Sequence, residues 1–215
     1  MALIIFDLDG TLIRSYHGLA KATNMVLEEY GFPTHDYESY IGFIGGGVAN
    51  LVYRALPEGE KHLRDEVYDK MYENYKTCYD FMLEPYDDIK NMLEKLQESG
   101  HKLCVSSNKN DDMTKKIVAE YFSETKFELV LGASEQNKKK PDPKMINICV
   151  ESCGFDKEDV YVVGDSGFDI QSSRNVGVKN IFVTWGYRKY EAVVDLKPDY
   201  KVDNPLDIVK IVGEC

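Results

Sequence analysis

Two aspartates stand two residues apart where the first apolar run of the chain ends, in Ile4-Ile5-Phe6-Asp7-Leu8-Asp9-Gly10-Thr11. Side chains alternate faces along a strand, so Asp7 and Asp9 point the same way while extension continues. At ~4 Å and an effective dielectric of about 20, two carboxylates repel by roughly 4 kcal/mol. A cation or a proton would relieve this repulsion. The alternative is a strand followed by a solvated Asp-Gly turn.

Two segments in the middle of the chain could bind an anion. Where Val105-Ser106-Ser107-Asn108-Lys109 ends a predicted strand, the Ser107 hydroxyl and the following backbone N–H of Asn108 can contact phosphate oxygens. Lys140 precedes Pro141, and prolines that stiffen a helix start would hold its ammonium in place. That ammonium could neutralise an aspartate and a phosphate oxygen together. A helix-capping Ser/Asn turn and a charged loop are the alternatives.

A second pair of aspartates follows another apolar run, in Val162-Val163-Gly164-Asp165-Ser166-Gly167-Phe168-Asp169. Asp165 is predicted at the tip of a strand and Asp169 in the first turn of the next helix. Magnesium takes oxygen ligands, so Asp165 could supply a carboxylate and Asp169 could orient a bound water or ligand. Helix capping is the alternative.

In this order, the four segments resemble the motifs of the haloacid dehalogenase superfamily of phosphotransferases, of which the first usually reads Asp-x-Asp-Gly-Thr. The resemblance implies a Mg²⁺-dependent phosphatase that acts on a small phosphate monoester, phosphoglycolate or similar. It implies that Asp7 attacks phosphorus to form an aspartyl-phosphate, and that Asp9 protonates the leaving oxygen and then activates water.

The resemblance also assigns the binding residues. It implies that Asp7, Asp9 and Asp165 hold Mg²⁺, with Asp169 in support. The residues implied to bind the phosphoryl group are Thr11, Ser107, Asn108 and Lys140.

The elements that must position these residues alternate between strand and helix. Predicted strands are Ala2–Phe6, Lys102–Ser107, Glu128–Ala133, Val160–Asp165 and Asn180–Trp185, and predicted helices are Asp87–Ser99, Asp111–Phe122, Pro143–Cys153 and Asp169–Val176. Alternation of this kind predicts an α/β fold, a doubly wound parallel sheet with helices on both faces. The carboxyl ends of such strands bind ligands.

One segment breaks the alternation. Between the first strand and Pro85 the patterns predict helices at Leu19–Tyr30 and Glu60–Tyr79, with a broken pair over Tyr37–Leu56. A structureless loop of that length is improbable. We therefore expect an α-helical cap domain over residues 15–83 inserted into a core domain of residues 1–14 and 84–215, able to act as a lid.

The cap and two later segments, Thr184–Tyr187 and Lys197–Tyr200, resemble the branch that includes phosphoglycolate phosphatases. Two departures loosen that assignment. No glycine follows Pro85, where many members carry Pro-Gly, and Ser172-Ser173 stands where alanines are common. The glycines of Ile41–Gly47 either let a substrate approach the backbone or form a simple turn.

Composition excludes several function classes. A net charge of −11 with no basic stripe argues against a nucleic-acid partner. The N-terminal apolar stretch lacks a basic segment and leads directly into Asp7, so neither a signal peptide nor a membrane span is expected. The five cysteines form no Cys-x-x-Cys pair and are predicted to be reduced, which favours a cytoplasmic protein. We expect a monomer or a small homo-oligomer.

Several alternatives stay open. Within the superfamily, the chain could be a phosphomutase, a 5′-nucleotidase or a pyrophosphatase, although Thr11 favours hydrolysis over the mutase. A dinucleotide-binding oxidoreductase would need a glycine fingerprint after the first strand, which this chain lacks. A non-catalytic phosphate-binding module is disfavoured because the acid set is intact.

Overall fold

A six-stranded sheet forms the centre of the computed structural model, which describes residues 1–213. Its strands are β1 (Leu3–Phe6), β4 (Lys102–Asn110), β5 (Phe127–Ala133), β6 (Val160–Gly164), β7 (Lys179–Val183) and β8 (Tyr200–Val202), in the spatial order β5-β4-β1-β6-β7-β8. Every neighbouring pair is parallel. The chain winds outward from β1 on both sides, which confirms the predicted doubly wound α/β fold. Two further strands of two residues each, β2 (Ile13–Arg14) and β3 (Glu84–Pro85), pair with one another.

The sheet differs from the sequence prediction at its edges and strand ends. β4 continues through Asn110, three residues beyond the predicted end, and β6 ends at Gly164 so that Asp165 follows the strand. β8 was not predicted. It is three residues long and buries only Val202, which is too short a pattern to show a strand period.

The α-helices of residues 1–213 surround this sheet or lie in the insertion. In chain order they are α1 (Tyr16–Glu29), α2 (Ser39–Phe43), α3 (Val48–Ala55), α4 (Arg64–Cys78), α5 (Ile89–Glu98), α6 (Asp111–Tyr121), α7 (Lys144–Cys153), α8 (Gly167–Val176) and α9 (Pro205–Gly213). The predicted Glu60–Tyr79 helix begins with a 3₁₀ turn over Glu58–Leu63, and α9 was not predicted. None of these helices is both long enough and apolar enough to cross a membrane.

Burial explains why the first strand is a continuous apolar run. All four residues of β1 are fully buried, as expected for a central parallel strand covered on both faces. On one face, Leu3 and Ile5 pack with Ile146 and Val150 of α7 and with residues of β6. This packing fixes the position of the end of β1 within the sheet, and therefore the position of Asp7.

The chain divides into two compact units, one comprising Met1–Ile13 with the residues from Pro85 onward and the other Arg14–Glu84. The second unit contains α1 to α4, in which α1 and α3 each pack against α4. Gly45, Gly46 and Gly47 all have positive φ angles between α2 and α3, and Asn50 donates to the carbonyl of Gly46 (3.0 Å). That this helical unit serves as a cap stays a prediction.

Four cysteines are free thiols: Cys78, Cys104, Cys149 and Cys153. Cys104 on β4 and Cys153 on α7 lie 3.8 Å apart between their sulfurs. Burial raises the pKa of Cys153 to about 11, so this thiol is protonated and weakly reactive at neutral pH. The fifth, Cys215, lies outside the described residues.

Candidate active site

The first aspartate pair lies where β1 ends at the centre of the sheet. The Asp7 N–H donates to the carbonyl of Val163 (2.8 Å), so pairing with β6 continues one residue past the strand. The Gly10 N–H donates to the carbonyl of Ile13 (2.9 Å) and closes the turn that follows. Because β1 has β4 on one side and β6 on the other, this edge is the point where the winding of the fold reverses, the usual ligand position in open α/β sheets.

Lys140 links three acceptors at this edge. Its Nζ lies 2.9 Å from Asp7 Oδ1 and donates to Asp169 Oδ1 (2.6 Å) and to the carbonyl of Ser106 (2.8 Å). The side chain is only 3% exposed. Burial alone would lower the pKa of Lys140, but Asp169 and Asp7 offset it and raise that pKa above its ordinary value. A permanently charged ammonium is therefore fixed beside the carboxylate of Asp7.

The Asn108 side chain holds the backbone on both sides of Lys140. Its Oδ1 accepts from the Lys140 N–H (2.6 Å), and its Nδ2 donates to the Lys140 carbonyl (3.1 Å). The next peptide bond, Lys140–Pro141, is cis. The predicted phosphate contact of Asn108 can still come from its backbone N–H, but its side-chain amide is engaged with the chain.

The second aspartate pair follows β6. Asp165 accepts from the Tyr187 N–H at Oδ2 (2.6 Å), in the segment after β7. Asp169 is the third residue of α8, where Oδ2 accepts from the Ser166 N–H (3.2 Å) and hydroxyl (2.6 Å) in a capping box. Asp169 therefore caps its helix through one oxygen and contacts Lys140 through the other.

Three carboxylates converge at this edge and form a candidate metal centre. Asp7, Asp165 and Asp169 each place a carboxylate oxygen within 4.8 Å of the others. Burial, with Asp7 and Asp169 as neighbouring charges, raises the pKa of Asp165 to about 8. Burial also raises the pKa of Asp7 to about 7, with Lys140 opposing the rise. A hard divalent cation bound by oxygen would stabilise the ionised forms of both, so the donor set fits Mg²⁺.

Asp9 has a different partner. Its carboxylate oxygens lie 2.9 and 3.2 Å from Nζ of Lys109, a residue that is 6% exposed. The Lys109 N–H donates to the Ser107 hydroxyl (3.1 Å). The Asp9 side chain, assigned to the metal by the resemblance, is therefore in contact with a lysine and is absent from the cluster of three carboxylates within residues 1–213.

The Thr11 hydroxyl is a candidate for contact with a ligand. It is fully buried and has no hydrogen-bond partner among residues 1–213. The Thr11 carbonyl accepts from the indole N–H of Trp185 (3.0 Å), which fixes this residue from the segment after β7. A buried hydroxyl without a partner is unfavourable unless a ligand supplies one.

Two glycines permit the close packing of these carboxylates. A Cβ on Gly186 would lie 2.2 Å from Cβ of Asp165 and 2.4 Å from the carbonyl oxygen of Gly10. A Cβ on Gly164 would lie 2.2 Å from Cγ of Asp169. Any side chain at either position would displace a carboxylate of the site.

Sequence reasoning missed three contributors to the site. Lys109 received no role in the sequence-based assignment, and Trp185 and Tyr187 entered it only within the segment Thr184–Tyr187. The structure brings Lys109 to Asp9, Trp185 to Thr11 and the Tyr187 backbone to Asp165. Their closeness in sequence to the strand ends could have indicated them, because all three lie within four residues of a predicted strand end.

Comparisons with known proteins agree with this geometry. Residues 4–183 match a family model described as haloacid dehalogenase-like hydrolase. A phosphoglycolate phosphatase of Aquifex aeolicus is 34% identical over 212 residues, which cover 99% of this chain and 97% of the relative. A Caldanaerobacter subterraneus protein provisionally named a pyrophosphatase is 27% identical, with coverage of 99% and 94%.

The solved structures include a similar protein from Lactobacillus delbrueckii, provisionally named a phosphoglycolate phosphatase. It superposes with a TM-score of 0.88 at 26% sequence identity, and the match covers 99% of each chain. The similarity therefore extends over the sheet and the helical insertion alike.

Proposed function

The chain belongs to the haloacid dehalogenase-like hydrolase family and is a phosphatase, and on this basis we propose that it hydrolyses a small phosphate monoester, phosphoglycolate or a close analogue, with Mg²⁺. The carboxylate cluster of Asp7, Asp165 and Asp169, with Lys140 bridging two of its members, is the observation that carries the proposal. The relatives named phosphoglycolate phosphatase support the substrate class.

Mg²⁺ would be held by Asp7 and Asp165, with Asp169 supporting and with the backbone carbonyl of Asp9 facing the metal. The bound cation would supply positive charge that keeps the carboxylates ionised and neutralises the phosphoryl oxygens. The need for it follows from Asp7, whose buried carboxyl has a pKa of about 7 and must be ionised to act as a nucleophile.

In the first step, an oxygen of Asp7 attacks phosphorus, and the bond between phosphorus and the leaving oxygen breaks. Asp9, once protonated, transfers its proton to that oxygen, so the alcohol leaves neutral. The Lys140 ammonium, the Ser107 and Thr11 hydroxyls and the Asn108 N–H bind the phosphoryl oxygens. Phosphoryl transfer requires mainly positioning and charge neutralisation, which these donors provide.

In the second step, the Asp9 carboxylate takes a proton from water, which attacks phosphorus of the aspartyl-phosphate. The bond between phosphorus and the Asp7 oxygen breaks, and the Asp7 carboxylate is restored. Lys109 contacts Asp9 in the resting site, so it helps to fix the position of the carboxyl group that exchanges these protons.

We propose further that the unit of Arg14–Glu84 is the cap domain and that it selects the leaving group. The core and cap boundaries at residues 14 and 84 stay predictions, as does the monomeric or small homo-oligomeric state. We also propose a cytoplasmic location, which the free thiols of Cys104 and Cys149 support because a reducing compartment keeps thiols unpaired.

Pyrophosphate is a second candidate substrate. The observation that favours it is the Caldanaerobacter subterraneus relative provisionally named a pyrophosphatase, which matches almost the whole chain. Both substrates would use the same nucleophile, since both present a terminal phosphoryl group.

Phosphate release from a panel of phosphoglycolate, sugar phosphates, nucleoside monophosphates and pyrophosphate tests this proposal. The assay is run with Mg²⁺ and with EDTA, and the Asp7→Asn protein serves as the blank. We expect Mg²⁺-dependent release that is greatest for phosphoglycolate. Equal release by the wild-type and Asp7→Asn proteins would refute the assigned nucleophile. A kcat/KM that is higher for pyrophosphate than for phosphoglycolate would make pyrophosphate the substrate.

A further inference from the structure

We infer that the side chain of Asn108 is a positioning residue for Lys140, acting on the lysine backbone and not on the phosphoryl group. The inference deepens the proposed function and rests on it for the role of Lys140. The resemblance to known motifs assigns this asparagine to phosphate binding, and the geometry assigns its side chain to a different task.

Two opposed hydrogen bonds make the contact specific. Asn108 Oδ1 accepts from the Lys140 N–H at 2.6 Å, while Nδ2 donates to the Lys140 carbonyl at 3.1 Å. A side-chain amide offers a donor and an acceptor side by side, which suits the N–H and the carbonyl of a single backbone residue. The two bonds resemble those between neighbouring β-strands, so they fix both the position and the orientation of the Lys140 backbone.

The Lys139 carbonyl accepts from the Asp142 N–H (3.0 Å), so a turn also holds the segment that carries Lys140. It lies between β5 and α7, outside both elements, and Lys138 and Lys139 before it are exposed. The Pro141 carbonyl accepts from Asn175 of α8 (2.9 Å), so a second asparagine holds the next residue. Asn108 therefore ties a loop segment directly to β4.

The consequence for chemistry follows from where the Lys140 side chain ends. Its Nζ contacts Asp7 at 2.9 Å, Asp169 at 2.6 Å and the Ser106 carbonyl at 2.8 Å. The Ser106 carbonyl belongs to β4, as does Asn108, so one strand fixes both ends of the lysine. Displacing a charged catalytic group by about 1 Å can cost about 100-fold in rate.

The first measurement is hydrogen exchange of the Lys140 amide by NMR in the full-length protein. Asn108→Ala removes the acceptor of the Lys140 N–H. We therefore expect the exchange of this amide to accelerate by more than about tenfold relative to the amides of the neighbouring strand β4. Asn108→Asp keeps an acceptor, so we expect most of the protection to remain. Asn147→Ala, at a half-buried asparagine on α7, is the matched control and should leave the Lys140 amide unchanged.

The second measurement is a double-mutant cycle on kcat/KM. We expect Asn108→Ala to lower kcat/KM by about 10- to 100-fold in the wild-type background. In the Lys140→Met background, where no ammonium remains to position, the same change should cost less than about twofold. Unfolding midpoints of every variant establish that the proteins compared are folded.

Two results would overturn the inference. One is a Lys140 amide whose exchange is the same in Asn108→Ala as in the wild type. The other is an equal loss of kcat/KM in both backgrounds, which a side chain in direct contact with phosphate, or a purely structural one, would produce. Because hydrogen exchange needs no substrate, it tests the positioning contact even if the panel of esters refutes the proposed phosphatase activity.

Discussion

Replacing Asp165 by asparagine should stabilise the metal-free protein at neutral pH. Burial and the charges of Asp7 and Asp169 raise the pKa of Asp165 from 3.8 to about 8. Between these values the folded state binds a proton that the unfolded state releases, so stability falls as pH rises through this window. An asparagine is nearly isosteric, stays neutral and can still accept from the Tyr187 N–H.

The magnitude follows from the pH interval. Each pH unit within the window changes the free energy of unfolding by about 1.4 kcal/mol for one such carboxyl, so from pH 5 to pH 7 the cost of Asp165 grows by about 3 kcal/mol. The stability advantage of Asp165→Asn over the wild type should therefore be about 3 kcal/mol larger at pH 7 than at pH 5.

Urea denaturation in EDTA at the two pH values measures this difference. Adding Mg²⁺ at pH 7 should stabilise the wild type, because the cation binds the folded state, and should stabilise Asp165→Asn much less. The prediction is wrong if the free energies of unfolding of the two proteins differ by the same amount at pH 5 and at pH 7. It is also wrong if Asp165→Asn is less stable than the wild type at pH 7.

Three further substitutions test the surroundings of the site. Lys140→Met removes the buried ammonium that contacts the Asp7 and Asp169 carboxylates and should lower the free energy of unfolding by about 3 to 5 kcal/mol at pH 7. Lys139→Met, at an exposed position, should change it by less than about 0.5 kcal/mol in the same urea titration. Gly186→Ala places a Cβ against Asp165 and should weaken Mg²⁺ binding by at least about tenfold in a calorimetric titration, while Gly42→Ala, which has open space, should not. Trp185→Phe leaves the Thr11 carbonyl without its donor and should cost about 1 to 3 kcal/mol on thermal unfolding; an unchanged midpoint would contradict this.

Much of the site could be predicted because its residues lie beside strong local patterns. Apolar runs identified five of the six strands of the main sheet, and in a parallel sheet the residues after such runs meet at one edge. Asp7, Lys140, Asp165 and Asp169 do meet there. The proline and glycine signals around them located the turns.

The remainder depends on pairings across long sequence separations, which local patterns do not encode. Lys109 meets Asp9 across 100 residues, and Trp185 meets Thr11 across 174. The role of the Asn108 side chain depends on the path of a loop 32 residues away. β8 was missed for a different reason, since an edge strand with one buried residue has no detectable period.

Mapping the phosphorylated residue tests whether Asp7 carries the phosphoryl group. Asp9→Asn slows the second step, and an aryl phosphate permits the first step because a phenolate leaves without an acid. The variant is mixed with Mg²⁺ and the aryl phosphate, quenched after its burst of phenol and reduced with borohydride, which converts an aspartyl-phosphate to homoserine. We expect homoserine at position 7 on mass spectrometry. Reduction at any other carboxylate, or none at Asp7 after a stoichiometric burst, would contradict it.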